Sequence, residues 1–181
     1  ESIGSVCAAL RGFLGHLHMR GILASDIRGC VATPRIYALE RMPRSVAWSE
    51  IQRTLATVDR SSVLGRRDYA ILALAAYGGL RAGDVAALRL DDVDWRHDVI
   101  HARRPKNDTT DRVPLVPALG EALIAYVRHR PEAPHDALFL TAKAPIRPIT
   151  GNGVSGTARK YLKLAGVKSA RLGSHTLRHS L

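Results

Sequence analysis

The stretch DYAILALAAYGGLRAGDVAALRL, residues 68–90, constrains the fold more than any other. From Tyr69 to Tyr77 every side chain is Ala, Ile, Leu or Tyr. A helix that is apolar on all sides has no face to turn to water and must be buried. Gly78 and Gly79 close it, since glycine takes the left-handed conformation that ends a helix, and residues 82–88 read as a fresh helix just beyond. Arg81 therefore falls at a helix N-terminus. Two readings stay open for it. A permanently charged, bidentate donor beside free backbone N–H groups suits a phosphate, and the same side chain one turn from Asp84 suits an internal ion pair.

The flanking chain supplies further elements. Val6, Leu10, Phe13, Leu14 and Leu17 recur at helical spacing opposite Arg11, His16 and Arg20, with Gly21 as a stop and Ser25-Asp26 as a cap for a short segment beyond it. Residues 33–44 hold Thr33-Pro34, Pro43 and three arginines without periodicity, and read as a linker. The expected organisation is residues 1–32 as the last helices of one domain, too few to form a core alone, then the linker 33–44, then a second domain over 45–181. Ser49 to Gln52 has a capping-box pattern ahead of Ile51, Leu55 and Val58.

Two β-prone runs, 98–103 and 112–115, flank the turn formers of 105–110 and predict a hairpin with Lys106 near its tip. A lysine at such a place ordinarily serves solubility. Residues 118–130 predict a helix facing inwards through Leu119, Leu123, Ile124 and Val127, stopped by Pro131, and 137–140 a short strand. Thr150 can cap a helix over 152–165 with Val154, Ala158, Leu162 and Ala165 inwards. Its outward side, Arg159, Lys160 and Lys163, fits a DNA-facing or a merely solvated surface. Ser174 suits an N-cap for SHTLRHS, in which His175 and Arg178 share a helical face. The fold class expected is α+β, mainly α-helical, with a small antiparallel β-hairpin or sheet.

Charge narrows the partner. Lys and Arg total 27 against 16 Asp and Glu, a formal net charge of +11, and residues 137–181 contain no acid at all. That imbalance points to a polyanion. No stretch is apolar enough to span a bilayer and no signal peptide is evident, so a cytoplasmic protein is expected. Cys7 and Cys30 lack metal spacing and read as free thiols of a reducing compartment. Of the 8 histidines, His175 and His179 have helical spacing but no third ligand, so no metal is expected.

Taken in order, GGLRAGD, PKNDTTDRVPL and SHTLRHS resemble the catalytic domain of the tyrosine recombinase, or phage integrase, family over about 43–181. The segment ALRGFLGHLHMRGILASDI looks like the end of that family's core-binding domain. The resemblance implies site-specific DNA recombination, in which strands are cleaved and rejoined through a 3′-phosphotyrosyl intermediate without cofactor, metal or ATP. Arg81 and Arg178 would hold the non-bridging oxygens of the scissile phosphate, with Asp84 in support. Lys106 would act as general acid towards the departing 5′ oxygen, and His175 in an acid/base or phosphate-binding role. Arg103, Arg104, Arg159, Lys160 and Lys163 would contact DNA.

The family's nucleophilic tyrosine follows the H-x-x-R motif, whereas Tyr37, Tyr69, Tyr77, Tyr126 and Tyr161 all precede it. The expectation is a chain that stops short of its nucleophile and binds double-stranded DNA without cutting it. It would be monomeric alone, although complete family members form tetramers on paired sites. A non-catalytic architectural or regulatory DNA-binding module is the alternative, and the related type IB topoisomerases share the chemistry.

Overall fold

The computed structural model describes residues 3–32, 46–104, 109–168 and 172–178, with the backbone alone of Arg104, His175 and Arg178. The chain divides into two units, Glu1–Pro43 and Arg44–Leu181.

In the first unit, α1 spans Ile3–Met19 and Gly21 turns out of it at a φ of 68°. Its buried residues are Cys7 and Gly15, not the apolar row expected, and Val6, Leu10 and Phe13 are exposed. The reason is local. Among the described residues of this unit the helix packs against the short 3-10 turn Arg28–Cys30 and the two residues after it, through the row Cys7, Arg11 and Gly15. Arg11 donates to Val31 O at 2.6 Å, and a Cβ on Gly15 would sit 3.1 Å from the Arg28 side chain. Asp26 accepts from Arg28 N at 3.1 Å, which holds the start of the turn.

The second unit begins with α2, Trp48–Ala56. Ala47 is its N-cap and Ser49 lies inside the first turn, so the expected capping box is not formed, while Ile51, Leu55 and Val58 are buried as expected. The central helix α3 spans Val63–Ala76, opened by Ser62, whose Oγ accepts from Gly65 N at 3.0 Å. Residues 70–76 are all at most 1 % exposed. Gly79, at a φ of 60°, makes the turn into α4, Ala82–Ala87.

Three antiparallel strands come next, in the order β1 (Val93–Asp94), β2 (Val99–Arg104) and β3 (Thr109–Pro114). Strand β3 starts earlier than expected, because β-branched Thr109 and Thr110 pair with Arg104 and Arg103 and lengthen the ladder. Helix α5, Pro117–Val127, takes Pro117 in its first turn and buries Leu119, Ala122, Leu123 and Tyr126. Ile124 is 38 % exposed, so the inner face is turned from the one expected.

The strand expected at 137–140 is reduced to two isolated bridges, Arg89↔Ala137 and Leu140↔Pro148. Helix α6, Gly151–Leu164, is capped by Thr150 as expected, with Gly153 N donating to its Oγ1 at 3.2 Å. Helix α7 covers Ser174–Arg178, with Ser174 its first residue and not its cap.

All of this is arranged round α3. One side, through Ile71 and Leu74, packs with Leu80, Val85, Ile100, Leu119, Leu123 and Phe139. The other, through Leu72, Ala75 and Ala76, packs with Ile51, Leu55, Ala158, Leu162 and Leu177. Because both sides of one helix are claimed by separate clusters, its sequence has to be apolar all round.

Candidate phosphate-binding site

Arg81 leaves α3 by way of the glycine turn. It is the N-cap of α4, with extended backbone (φ −74°, ψ 156°), and it is exposed. Asp84 does not pair with its guanidinium. The carboxylate Oδ2 accepts instead from Arg81 N at 3.3 Å, so it serves the helix start. Among the described residues no carboxylate forms an ion pair with the Arg81 side chain. Of the two readings left open by the sequence, the internal pair is thus not formed, and Arg81 is exposed at the N-cap of α4.

Other elements converge on the same support. Gly78 lies so close to β3 that a Cβ there would be 3.2 Å from Val113 Cγ1 and 2.8 Å from Leu74 O. Helix α6 begins against the start of α4, where a Cβ on Gly151 would sit 3.5 Å from Gly83 Cα and N. Helix α7, which bears His175 and Arg178, packs on α3 and α6 with Leu177 fully buried. Arg81 and the H-x-x-R turn therefore hang from one helix. Lys106 lies outside the described residues, while the ladder on either side of it is formed, down to Arg104↔Thr109.

The basic residues expected to meet DNA divide into bound and free. Arg103 Nε lies 3.0 Å from Asp92 Oδ1, an ion pair not aligned as a hydrogen bond, so that buried oxygen gains charge compensation alone. Arg159 Nε donates to Leu172 O at 3.4 Å, just ahead of α7. Lys160 Nζ sits 4.5 Å from the Tyr161 ring centroid and 3.9 Å from Asp68 Oδ2, although the side chain is half exposed. Lys163 is exposed and forms no ion pair among the described residues.

The sequence reading missed the buried polar group inside this support. Arg67 donates to Asp68 Oδ1 through Nε and Nη2, at 3.1 and 2.7 Å, and to Leu140 O through Nη1 at 2.9 Å. Asp68 Oδ2 accepts from Tyr161 Oη at 3.2 Å, which ties α3 to α6. The signal was the adjacent charge pair immediately ahead of the apolar run. Burial raises the Tyr161 hydroxyl pKa above its ordinary value, with Asp68 adding to the rise and Lys160 opposing it. Tyr126 is raised by burial too, and its Oη accepts from Leu140 N at 3.3 Å. Tyr69, Tyr77, Tyr126 and Tyr161 all belong to or pack against the core clusters, so these four serve the fold.

The phage integrase family matches residues 45–181, the whole unit that carries Arg81 and α7. The chain belongs to this family. A putative integrase/recombinase of Sinorhizobium fredii is 36% identical over 178 residues, covering 97% of this chain and 43% of the relative. Another from the same organism is 34% identical over 142 residues, covering 77% of this chain and 73% of the relative. A tyrosine recombinase of Pseudothermotoga lettingae is 30% identical over 179 residues, covering 99% of this chain and 59% of the relative.

Among solved structures, the phage integrase fold recurs in the XerA recombinase crystal structure, with a TM-score of 0.68, 25% identity, and 87% and 53% of the two chains covered. A lambda integrase (75–356) dimer bound to a COC' core site superposes with a TM-score of 0.73 at 13% identity, covering 98% and 63%, a likeness of fold alone. The chain spans about two-fifths of the length of the first Sinorhizobium relatives it matches, 43% and 41%. The helical architecture with one small antiparallel sheet, expected from the sequence, is that of phage integrase catalytic domains.

Proposed function

We propose that residues 45–181 are the catalytic domain of a tyrosine recombinase and bind double-stranded DNA, supplying the phosphate-holding residues of a site at which strands are cleaved and rejoined in site-specific recombination, with the nucleophile not among them. The observation that carries this reading is the Arg81 guanidinium, held exposed at the N-cap of α4 while Asp84 is occupied by the backbone beside it. In this reading Arg81 and Arg178 hold the non-bridging oxygens of the scissile phosphate, where charge gathers in the transition state. Lys106 protonates the departing 5′ oxygen and His175 handles the second proton. Asp84 keeps Arg81 in place. In this reading none of the four described tyrosines is the nucleophile, since all precede the H-x-x-R motif and pack in or against the core clusters.

The relatives' names, the DNA-bound lambda integrase and the net charge of +11 support duplex DNA as partner. Residues 1–32 belong, in the same reading, to the core-binding domain, with 33–44 as the linker, and the complete protein assembles on paired sites. The test is Arg81→Ala, with affinity for a labelled duplex measured by anisotropy across a salt series. Affinity should fall about tenfold and the salt slope by about one, the share of a single phosphate contact. Unchanged affinity and slope would remove Arg81 from the phosphate cradle.

A further inference from the structure

The H-x-x-R turn lies on a helix too short to stand by itself. Helix α7 has 5 residues, Ser174–Arg178, and isolated helices under about 12 residues are marginal in water. Its surroundings therefore hold it in place. Ser174, Thr176 and Leu177 are buried, and Leu177 joins Leu72, Ala158 and Leu162 in the second core cluster, with Leu172 packed against it. Positions 175 and 178, three apart on one face, are carried wherever that packing and the backbone ahead of Ser174 set them.

The backbone ahead of Ser174 is tied to α6. Arg159 Nε donates to Leu172 O at 3.4 Å, two residues before α7 begins. Arg53 of α2 makes a similar tie at the other end of the connection, its Nε donating to Ala165 O, the C-cap of α6, at 3.2 Å. Arg53 also faces Glu50 Oε1 at 3.6 Å. Arg159 differs in this respect. Among the described residues no carboxylate forms an ion pair with it, and its hydrogen-bond partner is the Leu172 carbonyl. The next two residues of α6, Lys160 and Tyr161, meet Asp68 of α3 instead. Helix α6 is thus fixed to the central helix by Tyr161 and reaches the entry of α7 through Arg159. A charged donor on a carbonyl makes a stronger hydrogen bond than a neutral one.

We propose that Arg159 is a positioning residue: by holding Leu172 O it sets the entry to α7, and with it the placing of His175 and Arg178 on the scissile phosphate. It acts through those residues and not by touching DNA itself. This replaces the DNA contact expected of Arg159 from the sequence, and it rests on the recombinase reading above.

The experiment is a double-mutant cycle on the full chain, with Arg159→Met, Arg178→Ala and the two combined. Affinity for a labelled duplex is read by anisotropy across a salt series, with hydrogen exchange and thermal melting measured alongside. Methionine keeps much of the apolar stem and removes the donor. Arg159→Met should weaken binding about threefold to tenfold and lower the salt slope by about one, as loss of a single phosphate contact does. Placed on top of Arg178→Ala, the same change should cost less than about twofold, because the residue it positions is gone. Amides of residues 173–178 should exchange about tenfold faster, while those of α3 and the melting temperature stay as in the parent. Equal losses of affinity and slope in both backgrounds would make Arg159 a DNA contact and overturn the proposal. Parent-like affinity or parent-like exchange in Arg159→Met would overturn it too, as would faster exchange spread evenly through α3, the mark of a general loss of stability. If Arg178→Ala leaves affinity untouched, or the parent chain binds no duplex at any salt, the recombinase reading fails first and the positioning role falls with it.

Discussion

Arg67 and Asp68 are a buried ion pair whose value depends on its full set of partners. Their side chains are 11% and 4% exposed, and both Asp68 oxygens have hydrogen-bond partners. Removing one partner strands the other charge. Asp68→Ala should therefore cost about 3–5 kcal/mol in denaturant unfolding. A loss under about 1 kcal/mol would mean that solvent reaches Arg67 readily. The same network separates two lysines that look alike in the sequence. Lys160 already has Asp68 and Tyr161, whereas Lys163 has no such tie, so Lys163→Met should reduce duplex affinity more than Lys160→Met. Lys160→Met should instead lower the melting temperature, and the reverse ranking would place Lys160 on DNA.

At the scale of elements, the α3–α4 junction combines a conformational and a steric demand. Gly79 sits at a φ of 60°, and Gly78 leaves no room for a Cβ beside Leu74 O and Val113. Gly79→Ala should cost about 1–2 kcal/mol from its left-handed backbone alone. Gly78→Ala acts by collision, moves β3 against α3, and should lower stability by an amount comparable to overpacking, about 1–3 kcal/mol. Urea unfolding of the two variants checks both. If Gly78→Ala were neutral, the close approach of strand and helix would not be needed to hold the Arg81 turn.

Across the whole molecule the pH dependence has a definite sign. Tyr77, Tyr126 and Tyr161 all have hydroxyls raised above the ordinary 10.0 by burial. A raised folded-state pKa means that the native chain keeps protons the unfolded chain releases. Stability is thus whole below about pH 10 and falls as pH rises through the folded values. Melting temperature should drop on the alkaline side, and Tyr126→Phe should make that drop shallower. The apolar run of α3, the glycine stop, the cap at Thr150 and the hairpin were legible in the sequence because each depends on residues a few positions apart.

The sequence alone thus determined the helices and the hairpin strands, though not the strand expected at 137–140, together with the basic character of the chain and the order of the motifs that identify its family. It also placed Arg81 at a helix start, since the glycine pair and the helix beyond it are local facts. Only the tertiary structure decided that Asp84 serves the backbone, that Lys160 and Arg159 are tied to Asp68 and Leu172, and that Tyr126 faces the core in place of Ile124. The cross-strand register of His101 with Arg112 was likewise decided there. Those outcomes turn on which distant segment lies opposite a given side chain. Helical or strand periodicity names the face of an element, but the partner of that face is set by how α3 is shared between two cores.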